Sequence, residues 1–169
     1  MKGIGKGHGE IVYFAYGSNM PESRMRERTP SAVALVVWKL EGMRVAMNKK
    51  GWNDSEKANL VEDPGSVVYS TLYRIDSSEL PRLDSAEGGY ERRSFKAVFG
   101  DEIVEAQVYI SREITEAPVA WDWYKDIILK GAKEHGLPGS YIQYLESLPS
   151  KPCSENSNGQ RLSGEYRGG

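Results

Sequence analysis

The spacing of apolar and polar positions divides the chain into short strands and helices. Ile11–Tyr16 (IVYFAY) is an apolar and aromatic run of strand length, too short for a helix, and it stops at Gly17-Ser18-Asn19. Pro21 suits the first turn of a helix over Glu22–Arg28, with Asn19 or Met20 as its cap, and Thr29-Pro30 closes it. Ala32–Leu40 reads as a strand that turns at Glu41-Gly42 and continues as Met43–Asn48. Lys49–Lys57 is a polar excursion around one tryptophan. A strand at Ala58–Glu62 is cut by the turn signal Asp63-Pro64-Gly65, and another follows at Ser66–Ile75.

Asp76 or Ser77 can cap a helix at Ser78–Ala86, which Gly88-Gly89 ends. Tyr90–Phe99 and Glu102–Ile110 form a hairpin across Gly100-Asp101, a dipeptide that suits tight turns. After Pro118, Trp121, Tyr124, Ile127, Ile128 and Ala132 recur at helical spacing until Gly136, and a last helix covers Ser140–Leu148. Hairpin-joined strands with inserted helices predict an α+β domain rather than a doubly wound one.

Composition sharpens this picture at the ends. Residues 1–10 hold four glycines and little to bury, so a flexible N-terminus is expected, followed by a single domain over 11–148. Residues 149–169 are rich in Ser, Asn, Gly and charge, which predicts a disordered C-terminal tail holding the lone cysteine, Cys153. At 169 residues the chain has one domain's length, enough to bury a core without staples. One cysteine excludes an intrachain disulfide and a thiolate-rich metal site, and His8 and His135 do not make a ligand set, so no metal is expected. With 22 Lys plus Arg against 24 Asp plus Glu, the chain lacks the basic excess of a nucleic-acid binder. Arg24, Arg26 and Arg28 do cluster, and read as a solvated helix face or the far rim of a site. With no apolar run of membrane-spanning length and no apolar leader, a cytoplasmic protein is expected.

Two glycine turns hold the candidate chemistry. Tyr16-Gly17-Ser18-Asn19 lies between a strand and a helix, where successive N–H groups can cradle an anion, although taken alone these residues favour an ordinary turn with Asn19 as cap. Glu87-Gly88-Gly89-Tyr90 puts a carboxylate at a helix C-terminus, the unfavourable end of the dipole. It is either a solvated helix end or a carboxylate turned into a pocket, where burial would raise its pKa toward that of a general base. No Cys, His or phosphate-loop Lys competes for the role.

Together the two turns carry a resemblance. Tyr13-Phe14-Ala15-Tyr16-Gly17-Ser18-Asn19, Pro30-Ser31-Ala32, Leu83-Asp84 leading to Glu87-Gly88 and Tyr90, then Tyr109, Tyr124 and Gly131-Ala132-Lys133-Glu134-His135-Gly136-Leu137-Pro138 with Tyr141 occur in order. In these residues the chain resembles the γ-glutamylcyclotransferase family, in the branch acting on γ-glutamyl amino acids, with AIG2-like and butirosin-type γ-glutamylamine cyclotransferases as relatives. The resemblance covers Tyr13 to Leu148. It implies a small mixed β-barrel with flanking helices, which agrees with the α+β reading.

The resemblance also implies a reaction: release of 5-oxoproline and a free amino acid from a γ-glutamyl amino acid, without cofactor or metal. Glu87 would take the acid/base role. Tyr13, Phe14, Ala15, Tyr16, Gly17, Ser18 and Asn19 would line the substrate site, joined by Tyr90, Tyr109 and Tyr124, each of which core packing explains equally well. The partner implied is a small γ-glutamyl compound, and the chain would be a monomer or homodimer. Two other readings stand beside it: a γ-glutamylamine cyclotransferase, and a non-catalytic binder of a small acidic metabolite.

Overall fold

The computed structural model describes residues 9–51 and 56–152. His8, Trp52, Cys153 and the tail from residue 153 lie outside the described residues. Strand β1 (Glu10–Phe14) leads to helix α1 (Glu22–Arg28), then to two long strands, β2 (Val33–Lys49) and β3 (Lys57–Asp76). One turn of tighter helix at Ser77–Glu79 runs into α2 (Leu80–Ala86), and the hairpin β4 (Glu91–Phe99) and β5 (Glu102–Ile110) follows. The described chain ends with β6 (Ala120–Trp121), α3 (Asp122–Glu134), α4 (Gly139–Ser147) and β7 (Ser150–Lys151).

Five strands form one mixed sheet in the order β2-β3-β1-β5-β4, parallel only between β1 and β5. The sheet curls. Its two edge strands meet through Trp38 of β2 and Phe99 of β4, with ring centroids 4.5 Å apart. At the other end of β2, Lys50 N–H donates to Glu113 O and Thr115 N–H to Asn48 O, both at 2.8 Å. The barrel is therefore a curled sheet joined at its seam by side chains and a few backbone bonds, within an α+β fold.

Central strand β1 is buried on both faces, and its alternation divides the core. Val12 and Phe14 face one cluster, with Met20, Leu72, Ile128 and Leu145. Tyr13 and Ala15 face a second, with Met25, Tyr73, Leu83 and Tyr109. Tyr124 and Ile128 carry the apolar stripe of α3 into the first cluster, each such side chain contributing about 1.5–3 kcal/mol. Gly131 lets α3 touch the start of α1: a Cβ there would stand 2.7 Å from Met20 Cβ and 2.8 Å from Pro21 N.

Several boundaries differ from the sequence reading for identifiable reasons. The turns expected at Glu41-Gly42 and Asp63-Pro64-Gly65 do not reverse the chain. They are one shared irregularity, where the ladder jumps from Glu41↔Val67 to Met43↔Glu62, with Gly42 at φ +78° and Gly65 at +89°. A bulge uses the same residues as a turn, and here the flanking strands hold the pairing on both sides. Strand pairing begins at Glu10, opposite Asp76, inside the stretch expected to be flexible. Beyond Leu148, Ser150 and Lys151 pair in parallel with Ala120 and Trp121, and Lys151 Nζ lies 4.8 Å from the Trp121 ring centroid. The tail expected from Pro149 therefore starts too early by at least this strand.

Candidate active site

The glycine turn after β1 and the C-terminus of α2 meet across a small cleft that opens to solvent. Tyr13, Tyr16, Gly17, Ser18, Asn19, Ala58, Glu87, Tyr90, Tyr109 and Tyr124 line it. Phe14 and Ala15, expected at the site, are elsewhere. The period of β1 turns Phe14 to the opposite core, edge-on to Phe95, and Ala15 packs wholly inside the second cluster.

Glu87 caps the C-terminus of α2, its N–H bonded back to Leu83 O and Asp84 O. Its side chain is 5% exposed. Oε1 accepts a hydrogen bond from Asn19 Nδ2 at 2.5 Å and lies 3.7 Å from Arg28 Nη1. Burial raises its pKa above the ordinary carboxylate value of 4.5, against the pull of Arg28, Asn19, Arg24 and Lys49. Of the two readings open from sequence, the solvated helix end is excluded by this burial.

Asn19 does not cap α1. The capping position is Pro21, which has no side-chain cap bond, and Asn19 Nδ2 instead joins Glu87 to Tyr13 Oη at 3.1 Å. Because α1 starts at Glu22, the Gly17–Ser18 amides lie ahead of its first turn, so a helix dipole adds little to this turn. Gly17 is itself a wall: a Cβ there would lie 3.4 Å from Ala58 Cβ and 3.8 Å from Tyr124 Oη.

The tyrosines combine lining with tethering. Tyr90 Oη donates to Ala58 O at 2.7 Å, and Tyr124 Oη accepts from Ala58 N–H at 3.0 Å, so one residue of β3 holds two rings. Tyr16 Oη donates to Tyr109 O at 2.5 Å. Tyr109 sends its own hydroxyl to Asp84 Oδ1 at 2.6 Å, while its ring packs edge-on against Tyr13. Burial pushes the hydroxyls of Tyr13, Tyr16, Tyr90 and Tyr109 up, and that of Tyr124 to about 12, so all are neutral near pH 7.

Ala58 escapes the sequence reading, and the arginine cluster, read there as a solvated helix face or the far rim of a site, divides between the two. Arg24 and Arg28 are one turn apart on the inner face of α1, Arg24 buried and the Arg28 side chain 9% exposed, whereas Arg26 points outward to pair with Glu22 at 2.6 Å. Their i, i+4 spacing was the available signal. Ala58 contributes a methyl and two backbone groups, which carry no signature in a sequence. Among the described residues no group of three His, Cys, Asp or Glu is placed to hold a metal, and no helix is long and apolar enough to cross a membrane.

A sequence profile of the AIG2-like family matches residues 67–145. The mouse protein named gamma-glutamylcyclotransferase is 32% identical over 149 residues, covering 82% of this chain and 78% of the relative. Its human counterpart is 31% identical over the same shares. A solved structure named gamma-glutamyl cyclotransferase superposes with a TM-score of 0.78 at 27% identity, covering 93% of this chain and 95% of that one. With relatives this similar over most of both lengths, the chain belongs to the γ-glutamylcyclotransferase family.

Proposed function

We propose that this protein is a γ-glutamylcyclotransferase that releases 5-oxoproline and a free amino acid from γ-glutamyl amino acids. The observation that carries this reading is Glu87, a buried carboxylate of raised pKa facing an open cleft and tied to Asn19 of the facing turn. In the reaction the substrate's α-amine attacks its own γ-carbonyl, forming the ring C–N bond and breaking the amide bond. No protein nucleophile is required, and the cleft's main task is to fold the glutamyl chain into the reacting shape. The amine is mostly protonated near pH 7, so Glu87 removes a proton from it and returns one to the departing nitrogen. Backbone N–H groups of the Gly17–Ser18 turn hold the glutamyl moiety, and neutral tyrosine hydroxyls border it. A cytoplasmic setting goes with this reading, and a single cysteine suits a reducing compartment.

The test is a panel of γ-glutamyl dipeptides, γ-glutamyl-ε-lysine and glutathione, with 5-oxoproline as the readout. Release from the dipeptides is the expected result. Release only from γ-glutamyl-ε-lysine would move the protein to the γ-glutamylamine branch, and release from none would leave a binder.

A further inference from the structure

The turn that carries both Glu87 and Tyr90 is gripped between them, at Gly89. Ser111, the residue after β5, donates its hydroxyl to Gly89 O at 2.7 Å and accepts from Glu113 N–H at 3.1 Å. Because an amide proton already occupies that oxygen, the hydroxyl proton has one direction to take, toward Gly89. Ser111 is itself clamped. Asn59 Nδ2 donates to Ser111 O at 3.0 Å, and Ser111 N–H donates to Asn59 Oδ1 at 2.9 Å. One side-chain amide thus supplies the two bonds that a neighbouring strand would exchange with this residue. Both residues are buried, Asn59 at 1% and Ser111 at 4% exposed.

Asn59 follows Ala58, whose carbonyl accepts the Tyr90 hydroxyl at 2.7 Å. A closed circuit therefore runs from Ala58 through Tyr90, Gly89 and Ser111 back to Asn59. It holds the turn at Gly89, whose φ of +83° only the freedom of glycine makes easy, so local sequence alone would leave this backbone loose. Tyr90 N–H donates to Glu87 O at 3.1 Å and carries the constraint on to Glu87. Neither Asn59 nor Ser111 lines the cleft, so each acts on it through the turn. We propose that Ser111, clamped by Asn59, is a positioning residue: by fixing the Gly89 carbonyl it sets where the Glu87 carboxyl and the Tyr90 ring stand against a bound γ-glutamyl chain. This rests on the reading of the function given above.

The test is Ser111→Ala, which removes the bond to Gly89 and leaves both Asn59 bonds, since those go to the Ser111 backbone. With γ-glutamyl-alanine, kcat should fall about 10-fold or more, the scale of a misplaced catalytic group. KM should stay within about threefold, because the glutamyl half is held at the Gly17–Ser18 turn, which the circuit does not touch. Ser111→Thr keeps the hydroxyl and should restore most of kcat. Tyr144→Phe is the matched control: it deletes a tyrosine hydroxyl bond to Val45 O at 2.6 Å, away from the cleft, and kcat should stay within about twofold. All assays run well below the lowest Tm of the set, so that lost stability alone does not change kcat. Should Ser111→Ala fail to fold, Ser111→Cys keeps the volume, weakens the donor and gives the same comparison. Parent-like kcat in Ser111→Ala or Ser111→Cys, or an equal loss in Tyr144→Phe, would overturn the assignment. Native enzyme that releases no 5-oxoproline from any γ-glutamyl compound would overturn the reading of the function, and the role of Ser111 with it.

Discussion

Replacing Glu87 by Gln should separate activity from stability, in opposite directions. Gln keeps the volume and can still accept from Asn19, but it cannot take a proton from an amine. Turnover of γ-glutamyl substrates should therefore fall about a hundredfold or more, the usual worth of general acid–base catalysis, with ligand binding retained. The stability effect follows from the raised pKa. A carboxyl raised on folding holds its proton more tightly in the folded than in the unfolded chain. Its contribution is fully present below the unfolded value, near 4.5, and is lost as pH rises through the folded value. Above its folded pKa the ionised Glu87 thus weakens the fold, each unit of upward shift amounting to about 1.4 kcal/mol. The always-neutral Gln escapes this, and for a chain of this size about 1 kcal/mol corresponds to a rise in Tm of roughly 2–4 °C. Thermal melts of parent and variant from pH 4 to pH 8, beside single-turnover assays, check both halves. The variant should melt higher at neutral pH, and the gap should close toward pH 4. Parent-like turnover in the variant would refute the role of Glu87 as base. A variant less stable than the parent at pH 7 would show that the contact with Arg28 outweighs desolvation.

Arg28→Met removes a cation 3.7 Å from Glu87, so the carboxyl should rise further and the acidic limb of the kcat/KM profile should move to higher pH; an unmoved limb would exclude coupling between them. Gly17→Ala places a methyl against Ala58 and below Tyr124 Oη without backbone strain, so Tm should hold while KM rises on the order of tenfold, as steady-state kinetics on γ-glutamyl-alanine would show. Gly131→Ala meets Met20 and Pro21 at under 3 Å and should cost about 1–3 kcal/mol in urea unfolding.

The sequence was most legible where one short element met one unambiguous boundary residue. Glu22–Arg28, Glu102–Ile110 and the helix stop at Gly89 were placed well because proline, Gly-Asp or glycine fixes the local backbone. It was least legible where pairing with a distant strand overrides local preference. Asp63-Pro64-Gly65 has the residues of a reversal, yet Arg44 pairs with Asp63 at 3.3 Å and the ladder resumes on either side, so the chain bulges instead. Ser150-Lys151 has no strand character of its own and acquires it from Trp121. The same division holds in the cleft. Glu87 is visible as a carboxylate at the wrong end of a helix, while its burial depends on partners distant in sequence, Asn19 and Arg28 among them, and cannot be read from residues near it.

That burial explains how one carboxylate could serve both proton transfers. The substrate amine has a pKa of roughly 8, far above that of an exposed glutamate, so an ordinary carboxylate would be a weak base toward it. Closing the gap requires destabilising the charged form. Enclosure among the cleft tyrosines does so, with carbonyls at the C-terminus of α2 acting in the same direction. Unopposed, the same effects would keep the group protonated and useless as a base. Arg28 and the hydrogen bond from Asn19, and more remotely Arg24 and Lys49, supply the opposing pull. Arg28 does so from 3.7 Å, close enough to bias the carboxyl but beyond the bidentate contact that would trap it as a carboxylate. The two helices thus act oppositely on Glu87: α2 holds the carboxyl where burial raises its proton affinity, and the arginines of α1 lower it. Both are anchored to β1, α1 through the turn at Gly17–Asn19 and α2 through Leu83 beside Tyr13. Loosening either anchor should move the pH profile before it unfolds the domain.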